Sequence, residues 1–382
     1  MNKIDIVVVS LFDGLSGGRI ALERTPHLNV LRYYSSEIDK YAIQIADKNY
    51  PQDKKFRLGS VVDIDGNTLL SEIRKEFGDV KILLIGGSPC QGFSMAGKLK
   101  GASTKCGQDV VTLEQYIDLK EQGFEFDGQS YLFWEYIRIK QELSPDYFML
   151  ENVRITKKWL PMFNEAMGVE PTRINSNLVS AQNRDRYYWH NFGEIPQPED
   201  KGVLLKDILE SDVEDKFTCS EAQTNKMIRH GNKITKENIT PKKSACIHAG
   251  YFKAGGRDQQ YIMLYDIKPS VAKNIIAQER EIKAGKNGFY QLKCESGFQD
   301  NKIGIDKSPT LRAGNNCTYA RLELHKYRKL TPLECERLQT LPDNYTEGVS
   351  NTQRYKMIGN GWTIDIITYL FNHIKRSLNE NK

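Results

Sequence analysis

A cysteine, a glutamate and two arginines stand in sequence settings that suit chemistry on a bound substrate. Cys90 lies in a glycine-flanked loop after a Ser-Pro pair, where a constrained thiol can act as a nucleophile. Glu151 closes an apolar run, and a carboxyl group there can hydrogen bond to a substrate or give it a proton. Arg184 and Arg186 point the same way on an extended segment, so together they can hold a carbonyl group or a phosphate.

Each of these residues also has a common structural role. A lone cysteine is usually a small buried hydrophobe, and paired arginines more often form surface ion pairs. A glutamate at a strand end can simply cap a turn. The functional hypothesis therefore depends on the elements and motifs around these residues.

Alternating strands and helices are predicted to position them. An apolar β-branched run predicts a strand over residues 4–11. Further strands are predicted over 28–36, 56–62, 80–85 and 147–150, with helices beginning at residue 19 and spanning 40–49. The first strand runs into a glycine turn, residues 12–18, which is typical of nucleotide-binding α/β sheets. Glu37 ends the second strand about twenty residues later, where it can accept hydrogen bonds from ribose hydroxyls, and Asp63 ends the third. Because the turn lacks the G-x-G-x-x-G spacing, these features favour an adenosine-containing ligand over a nicotinamide cofactor.

Composition excludes several classes of protein. The chain has 382 residues, 39% hydrophobic and 27% charged, with a mean hydropathy of −0.55. These values are typical of a soluble globular protein of one large or two moderate domains, neither disordered nor membrane-embedded. The N-terminus has no export signal, and the seven cysteines are scattered without a C-x-x-C pair. We therefore expect a reducing compartment, with neither a disulfide framework nor a metal site.

Positive charge is concentrated in one part of the chain. Residues 217–328 carry 20 Lys and Arg against 10 Asp and Glu, whereas residues 1–216 carry 27 against 33. Such a basic segment suits contact with a polyanion, because each neutralised phosphate releases counterions. A solvated lysine-rich face would explain the charge about as well. The segment is irregular, with β-like pieces at 260–265 and 288–292, and is interpreted as a second domain.

An ordered set of motifs runs through the chain. They are residues 12–18, Pro89-Cys90-Gln91, Glu151-Asn152-Val153, residues 182–186 (Q-x-R-x-R), residues 328–342 (R-x-L-T-P-x-E-x-x-R-L-Q followed by L-P) and residues 354–367 with a G-N pair. In this order they resemble the DNA (cytosine-5) methyltransferases, which use S-adenosyl-L-methionine. The resemblance covers nearly the whole chain apart from much of 217–328. Any one tripeptide occurs by chance, but the ordered set is hard to explain otherwise.

The resemblance implies an architecture. It implies an α/β, Rossmann-like S-adenosylmethionine-dependent methyltransferase fold with a smaller, irregular β-rich target-recognition domain. Residues 1–200 would form the catalytic and cofactor-binding domain and residues 201–328 the target-recognition domain. Residues 329–382 would return to the catalytic domain.

The resemblance also implies roles for individual residues. The implied catalytic residues are Cys90, Glu151, Arg184 and Arg186. The implied cofactor-binding residues are Phe12, Asp13, Gly14, Leu15, Gly17, Glu37, Ile38, Asp63, Ile64, Gly87, Pro89, Leu132, Asn360 and Gly361. The implied DNA-binding residues are Gln91, Ser94, Gln182, Thr310, Leu311 and Arg312.

The chemistry of this family explains why these residue types are needed. Carbon 5 of cytosine is a poor nucleophile, so a thiolate, here Cys90, must first add at carbon 6. Glu151 would relieve the resulting charge at N3 of the base, and a further base, which the sequence does not identify, removes the carbon-5 proton. The cytosine must also be flipped out of the duplex, at a cost of a few kcal/mol.

The chain departs from the family pattern in three places. Ser16 is an extra residue in the first loop, and Trp362 in Gly-Asn-Gly-Trp-Thr replaces a small-then-Val sequence. Trp362 can pack beside the cofactor or in the core. Residues 97–129 form a longer connection than is usual, with a helix predicted over 112–122. Its Lys98, Lys100 and Lys105 are candidates for phosphate contacts, or the segment is an inserted surface helix.

The function expected from the sequence is DNA cytosine-5 methylation at a short site in double-stranded DNA. The alternatives are an RNA (tRNA) cytosine-5 methyltransferase, against which the large basic segment argues, and a non-catalytic DNA-binding protein on the same scaffold. We expect a monomer without membrane association, located in the cytoplasm of a bacterial or phage-infected cell near the nucleoid. A cognate restriction endonuclease acting on the same site is a partner that the resemblance leaves open.

Overall fold

The computed structural model describes residues 3–89, 93, 102–220, 223, 243–253, 259–263 and 327–375. Several predictions fall outside the described residues: the roles of Cys90, Gln91, Ser94, Thr310, Leu311 and Arg312, the phosphate contacts of Lys98 and Lys100, and the β-like piece at 288–292.

A seven-stranded sheet of mostly parallel strands positions the loops that matter for function. Its strands are β1 (Ile4–Leu11), β2 (Leu28–Ser36), β3 (Arg57–Gly59), β4 (Lys81–Gly86), β5 (Tyr147–Val153), β6 (Thr172–Asn175) and β7 (Asp185–His190). They lie in the order β3-β2-β1-β4-β5-β7-β6, and β7 is antiparallel to both neighbours. Val7, Val8 and Val9 of β1 are fully buried, as expected for a parallel strand covered on both faces. The predicted Rossmann-like α/β fold is confirmed.

Helices connect and cover these strands. Those of the described residues are α1 (Gly17–Glu23), α2 (Lys40–Asn49), α3 (Gly66–Phe77), α4 (Leu113–Glu121), α5 (Leu132–Leu143), α6 (Leu160–Met167), α7 (Leu205–Ile208), α8 (Pro332–Leu338), α9 (Asn351–Asn360) and α10 (Ile364–Phe371). Local sequence sets several of their starts. Asp39 caps α2 by accepting hydrogen bonds from the backbone N–H groups of Tyr41 and Ala42. Thr331 and Glu334 form a capping box at α8, whose first residue is a proline.

The third predicted strand is shorter than expected. The sequence predicts residues 56–62, whereas β3 covers only Arg57–Gly59, and Val61–Asp63 form a 3-10 turn. Gly59 has a φ of +73°, which turns the chain out of the extended conformation. Asp63 therefore follows this strand after a turn and does not end it directly.

The strand order creates a crevice at one edge of the sheet. The chain runs from β1 outward to β2 and β3, then returns to place β4 on the other side of β1. In open α/β sheets, ligands bind outside the carboxyl ends of the strands at such a switch point. The loops after β1 and β4 therefore flank the expected ligand site.

The insertion after the candidate nucleophile loop carries an acidic helix. Residues 102–129 contain six Asp and Glu and two Lys, and Lys105 pairs with Glu125. Helix α4 is anchored on α5 through the fully buried Glu135, which accepts hydrogen bonds from Tyr116 and from Lys120 Nζ at 2.6 Å. For the described part of the insertion, the structure thus favours an inserted surface helix over a phosphate-binding loop.

The described residues belong to two compact units. The first comprises residues 1–212, 241–260 and 330–382, and the second comprises residues 213–240 and 261–329. Residues 241–260 thus group with the sheet, whereas the resemblance implies that they belong to the target-recognition domain, residues 201–328. In the second unit, β8 (Tyr261–Met263) pairs antiparallel with β9 (Tyr327–Lys329). No helix in the described part of the chain is long and apolar enough to span a membrane.

A buried histidine on β7 should make the stability of the first unit depend on pH. His190 is 6% exposed, and burial, together with the charge of His373, lowers its pKa to about 4. As the pH falls, His190 therefore takes up a proton in the unfolded chain before it does so in the folded one. The stabilising effect of neutral, buried His190 is thus complete above the ordinary histidine pKa and is lost towards pH 4. Between pH 7 and pH 4.5 we expect a loss of about 2–3 kcal/mol in the free energy of unfolding from this residue. Urea titrations of wild type and His190→Gln check it, and equally steep pH dependence in both proteins would contradict it.

Candidate active site

The loop after β1 is organised around a buried carboxylate. Asp13 Oδ1 accepts hydrogen bonds from Ser10 Oγ at 2.6 Å and Tyr33 OH at 2.5 Å, and its Oδ2 accepts one from Ser16 Oγ at 2.6 Å. Burial raises the pKa of Asp13 above its ordinary value, although these hydroxyl groups oppose the shift. Ser16, the extra residue of the loop, adopts a left-handed conformation with φ of +63° directly before α1. Ser16 thus closes the loop through its hydrogen bond to Asp13. The side chain of Leu15, the residue before it, is buried.

The end of β2 provides acidic and apolar groups at the crevice. Glu37 Oε2 accepts a hydrogen bond from the backbone N–H of Gly14 at 2.8 Å, so this carboxylate joins the ends of β1 and β2. Beside it, the side chain of Ile38 is 71% exposed. An exposed isoleucine next to a carboxylate suits a ligand that has both an apolar ring and hydroxyl groups. Asp63 is exposed and Ile64 buried, so only the first presents its side chain to solvent.

The loop after β4 approaches β5 closely. A Cβ atom added to Gly87 would lie 3.0 Å from Trp362 Nε1 and 3.3 Å from Glu151 Oε2, so a larger residue would displace these groups. Asn152 Nδ2 donates to the backbone carbonyl of Ser88 at 3.3 Å, which ties the loop to β5. Phe93, three residues beyond Cys90, is fully buried and packs against Phe163 with ring centroids 5.0 Å apart. Both flanks of the candidate nucleophile loop are therefore anchored.

Glu151 lies on β5 within this cluster and is 7% exposed. Arg186 Nε lies 2.9 Å from Glu151 Oε1 as an ion pair, although its N–H is not aligned for a hydrogen bond. Trp362 Nε1 donates a hydrogen bond to Glu151 Oε2 at 3.1 Å. Burial alone would lower the pKa of Arg186, but the charge of Glu151 raises it, so the guanidinium stays charged. The structure thus brings Glu151 and Arg186 together, as their residue types suggest.

Arg184 has a different environment from the one expected of a catalytic group. It is 4% exposed, and its guanidinium donates to the backbone carbonyls of Ile247 at 3.2 Å, Gly359 at 3.3 Å and Gly361 at 2.8 Å. Arg184 therefore links two chain segments beside the site, one at Ile247 and the other at Gly359 and Gly361. In this structure Arg184 thus positions these segments, and a catalytic role for it stays a prediction.

Gln182 is likewise placed away from solvent. It is fully buried, its Nε2 donates to the carbonyl of Leu338 at 3.1 Å, and its Oε1 accepts from the N–H of Ile247 at 2.8 Å. Both ends of the amide are thus used within the protein. Gln182 thus links two chain segments in this structure, and the direct DNA contact expected of it stays a prediction.

Cys246 is a site neighbour that the sequence analysis missed. Its sulfur lies 3.5 Å from Arg184 Nη1 and 3.8 Å from Arg186 Nη2. Burial raises the pKa of this thiol, but the two arginines outweigh that effect and lower it. The contact confirms that both arginines point the same way. No sequence signal marked Cys246, because it lies about sixty residues from the arginines along the chain.

The turn between α9 and α10 completes the described part of the site. Asn360 is exposed, and the carbonyl of Gly361 accepts hydrogen bonds from Arg184 and Gln339. A Cβ added to Gly359 would lie 2.3 Å from the carbonyl carbon of His248, so only glycine permits this approach.

The remaining predicted cofactor residues differ in exposure. Phe12, Gly14, Pro89 and Leu132 are partly exposed, whereas Gly17 is buried, and a Cβ added to Gly17 would lie 3.1 Å from Ile364 Cδ1. Among the described residues, no group of three His, Cys, Asp or Glu is arranged to hold a metal ion.

Known proteins resemble this chain over nearly its whole length. The family model of the C-5 cytosine-specific DNA methylases matches residues 6–159 and 172–376. The orphan methyltransferase M.SPRI of Bacillus phage SPR is 24% identical over 459 residues, which cover 96% of this chain and 97% of that protein. The type II methyltransferase M.HhaI of Haemophilus parahaemolyticus is 25% identical over 391 residues, which cover 97% of this chain and 94% of that protein.

Solved structures agree at the level of the fold. The methyltransferase EhMeth of Entamoeba histolytica matches with a TM-score of 0.61 and 16% identity, covering 98% of this chain and all of that one. The Dnmt2 methyltransferase of S. pombe matches with a TM-score of 0.58 and 14% identity, covering 95% and 96% of the two chains. The resemblance seen in the sequence is therefore confirmed, and the chain belongs to the family of C-5 cytosine-specific DNA methylases.

Proposed function

We propose that this DNA (cytosine-5) methyltransferase acts through a covalent bond between Cys90 and carbon 6 of a cytosine flipped out of duplex DNA. The observation that carries the proposal is the Glu151–Arg186 pair on neighbouring strands, beside the loop that leads into Cys90. A nearly buried carboxylate held by a fixed cation is suited to the polar edge of a flat base. Family and fold imply that the methyl donor is S-adenosyl-L-methionine.

The proposed mechanism assigns each step to a residue of the chain. The Cys90 thiolate adds to carbon 6, and the electron pair displaced from the ring double bond makes carbon 5 nucleophilic. Glu151 donates a proton or hydrogen bond to N3, which stabilises the charge that addition places on the ring, while Arg186 holds Glu151 and can reach the base carbonyl. When bound, S-adenosylmethionine would supply an electrophilic methyl group, which carbon 5 takes as the methyl–sulfur bond breaks and S-adenosylhomocysteine leaves. A base then takes the carbon-5 proton, and the Cys90 thiolate leaves as the double bond re-forms.

The proposed cofactor contacts lie along the carboxyl ends of β1, β2 and β4. Glu37 would bind the ribose hydroxyls, Ile38 would cover the adenine, and Asp63 with the backbone of Ile64 would contact its polar edge. The loop from Phe12 to Gly17 would face the methionine end, with Gly87, Pro89, Leu132, Asn360 and Gly361 around it. The exposed Ile38 beside the Glu37 carboxylate supports this arrangement.

The basic segment 217–328, with Thr310, Leu311 and Arg312 at its proposed reading element, is the proposed DNA-binding part of the chain. Replacing Lys268, Lys273, Lys283, Lys286 and Lys293 by glutamine should therefore weaken the salt dependence of DNA binding. If each contacts a phosphate, the slope of log K against log salt should fall by about 4 to 5, because each contact contributes about 0.9. Fluorescence anisotropy across a salt series measures the slope.

A control for this measurement comes from the first unit. Lys54 and Lys55, in the turn before β3, are exposed, and their replacement by glutamine should leave the slope unchanged. An unchanged slope in the five-lysine variant would contradict the assignment of DNA binding to this segment.

Labelled S-adenosylmethionine tests the proposed function directly. The protein should transfer label to carbon 5 of cytosine in duplex DNA, and bisulfite sequencing of a methylated plasmid should show one short recognition sequence. Transfer to tRNA alone would contradict the proposal and support the RNA alternative. Co-purification or genetic linkage tests a cognate endonuclease, which stays a prediction, as does the monomeric state.

A further inference from the structure

Trp362 lies between the loop after β4 and the first turn of α1. A Cβ added to Gly87, after β4, would lie 3.0 Å from its Nε1, and one added to Gly18, in α1, would lie 3.5 Å from its Cζ3. The indole therefore spans the space between these backbones, and both neighbours are glycines that leave it room. In the family pattern of this closing motif, a small residue followed by Val occupies the place that Trp362 and its neighbour have in this chain.

The residues on both sides of Trp362 are held by hydrogen bonds to distant side chains. The Gly361 carbonyl accepts from Arg184 Nη2 at 2.8 Å and from Gln339 Nε2 at 3.2 Å. Thr363 Oγ1 donates to Gln339 Oε1 at 2.8 Å and accepts from Ser176 Oγ at 2.9 Å. These contacts hold the residues before and after the indole, and Arg184 provides one of them.

The indole N–H is directed at Glu151. It donates to Oε2 at 3.1 Å, while Arg186 Nε lies 2.9 Å from Oε1. Contacts on separate oxygens oppose rotation of the carboxylate about its terminal bond. Because a carboxylate offers about four acceptor sites, each oxygen keeps one, which can accept from the amino group of cytosine or carry the proton that Glu151 would give to N3. The indole N–H occupies only the other site on Oε2.

We propose that Trp362 is a positioning residue that fixes the plane of the Glu151 carboxylate for the edge of the flipped cytosine. This inference rests on the proposed role of Glu151. Trp189 differs from Trp362 in the partner of its indole: the N–H of Trp189 donates to Asn164 Oδ1 at 2.8 Å in the fully buried core.

Trp362→Phe tests the proposal, because it keeps an aromatic ring and removes the N–H. In single-turnover assays with the full-length protein, we expect methyl transfer to slow by about 10- to 100-fold, as for a catalytic group that loses its fixed position. The dissociation constant for S-adenosylmethionine, measured by calorimetry, should change by no more than about threefold. Trp189→Phe is the matched control: it should lower the melting temperature without slowing transfer.

A double-mutant cycle with Glu151→Gln separates this role from others. If Trp362 acts through Glu151, then Trp362→Phe should slow transfer by less than about twofold in the Glu151→Gln background. Multiplicative losses, an equal loss of cofactor affinity, or a wild-type rate in Trp362→Phe would each overturn the inference. If Glu151→Gln alone transfers methyl groups at the wild-type rate, the proposed role of Glu151 fails instead, and this inference fails with it.

Discussion

Cys90→Ser should abolish methyl transfer, with a loss of at least about 1,000-fold relative to wild type. A serine hydroxyl is almost fully protonated near neutral pH and lacks the low pKa that makes a thiol available as thiolate. Without addition at carbon 6, carbon 5 stays too weak a nucleophile to accept the methyl group. Binding of DNA and of S-adenosylmethionine should persist, because neither depends on the covalent step.

A covalent trap measures the same prediction independently of the rate. In duplex DNA with 5-fluorocytosine at the target site, carbon 5 carries no removable proton after transfer, so the adduct should persist and migrate as a protein–DNA complex on denaturing gels. Wild type should form the adduct and Cys90→Ser should not. Cys106→Ser, which removes an exposed free thiol, is the matched control and should trap as wild type does. An adduct formed by Cys90→Ser would show that another residue is the nucleophile.

Local sequence patterns predict the central part of this fold well. Residues 4–11, 28–36 and 40–49 form two strands and a helix with the bounds that the sequence predicts. The first strand is an apolar run rich in β-branched residues and the helix is a capped amphipathic segment, so nearby residues suffice to determine both. The predicted bounds of the third strand are wrong, because a positive φ at Gly59 ends the strand early.

Environments built from distant segments were harder to predict. Arg184 contacts the carbonyl of Gly359, 175 residues away, and Gln182 contacts that of Leu338, 156 residues away. Spacing within a motif shows that Arg184 and Arg186 share a direction, but it does not show which backbone occupies the space they face. Residue type alone predicts a catalytic arginine and a DNA-binding glutamine, and it does not reveal that both side chains are buried against the backbone of distant segments.

The same limit explains Trp362. From the sequence, this tryptophan fits a core position and a cofactor contact equally, because both need only a large aromatic ring. The direction of its N–H depends on how residues 361–363 are held by Arg184, Gln339 and Ser176. These contacts show that Trp362, the residue that departs from the family pattern, is a hydrogen-bond partner of Glu151.

The environment of Glu151 determines how Glu151→Gln should behave. An amide has one acceptor oxygen, so it cannot receive both the Arg186 contact at 2.9 Å and the Trp362 hydrogen bond at 3.1 Å. With its oxygen towards the charged Arg186, its NH2 group faces the indole N–H, and two donors then oppose each other. We expect this to lower the free energy of unfolding by about 1–3 kcal/mol.

The larger effect of Glu151→Gln should fall on chemistry. An amide cannot protonate N3, so the charge created by Cys90 addition stays uncompensated, and single-turnover methyl transfer should slow by about 100- to 1,000-fold. Affinity for S-adenosylmethionine should stay within about threefold of wild type, because Glu151 acts on the base. Glu142→Gln is the matched control: Glu142 also pairs with an arginine, at 2.8 Å from Arg138 Nη1, and its loss should lower stability without slowing transfer. Equal losses of rate and cofactor affinity in Glu151→Gln would indicate a damaged fold and would contradict the role of Glu151 at the base.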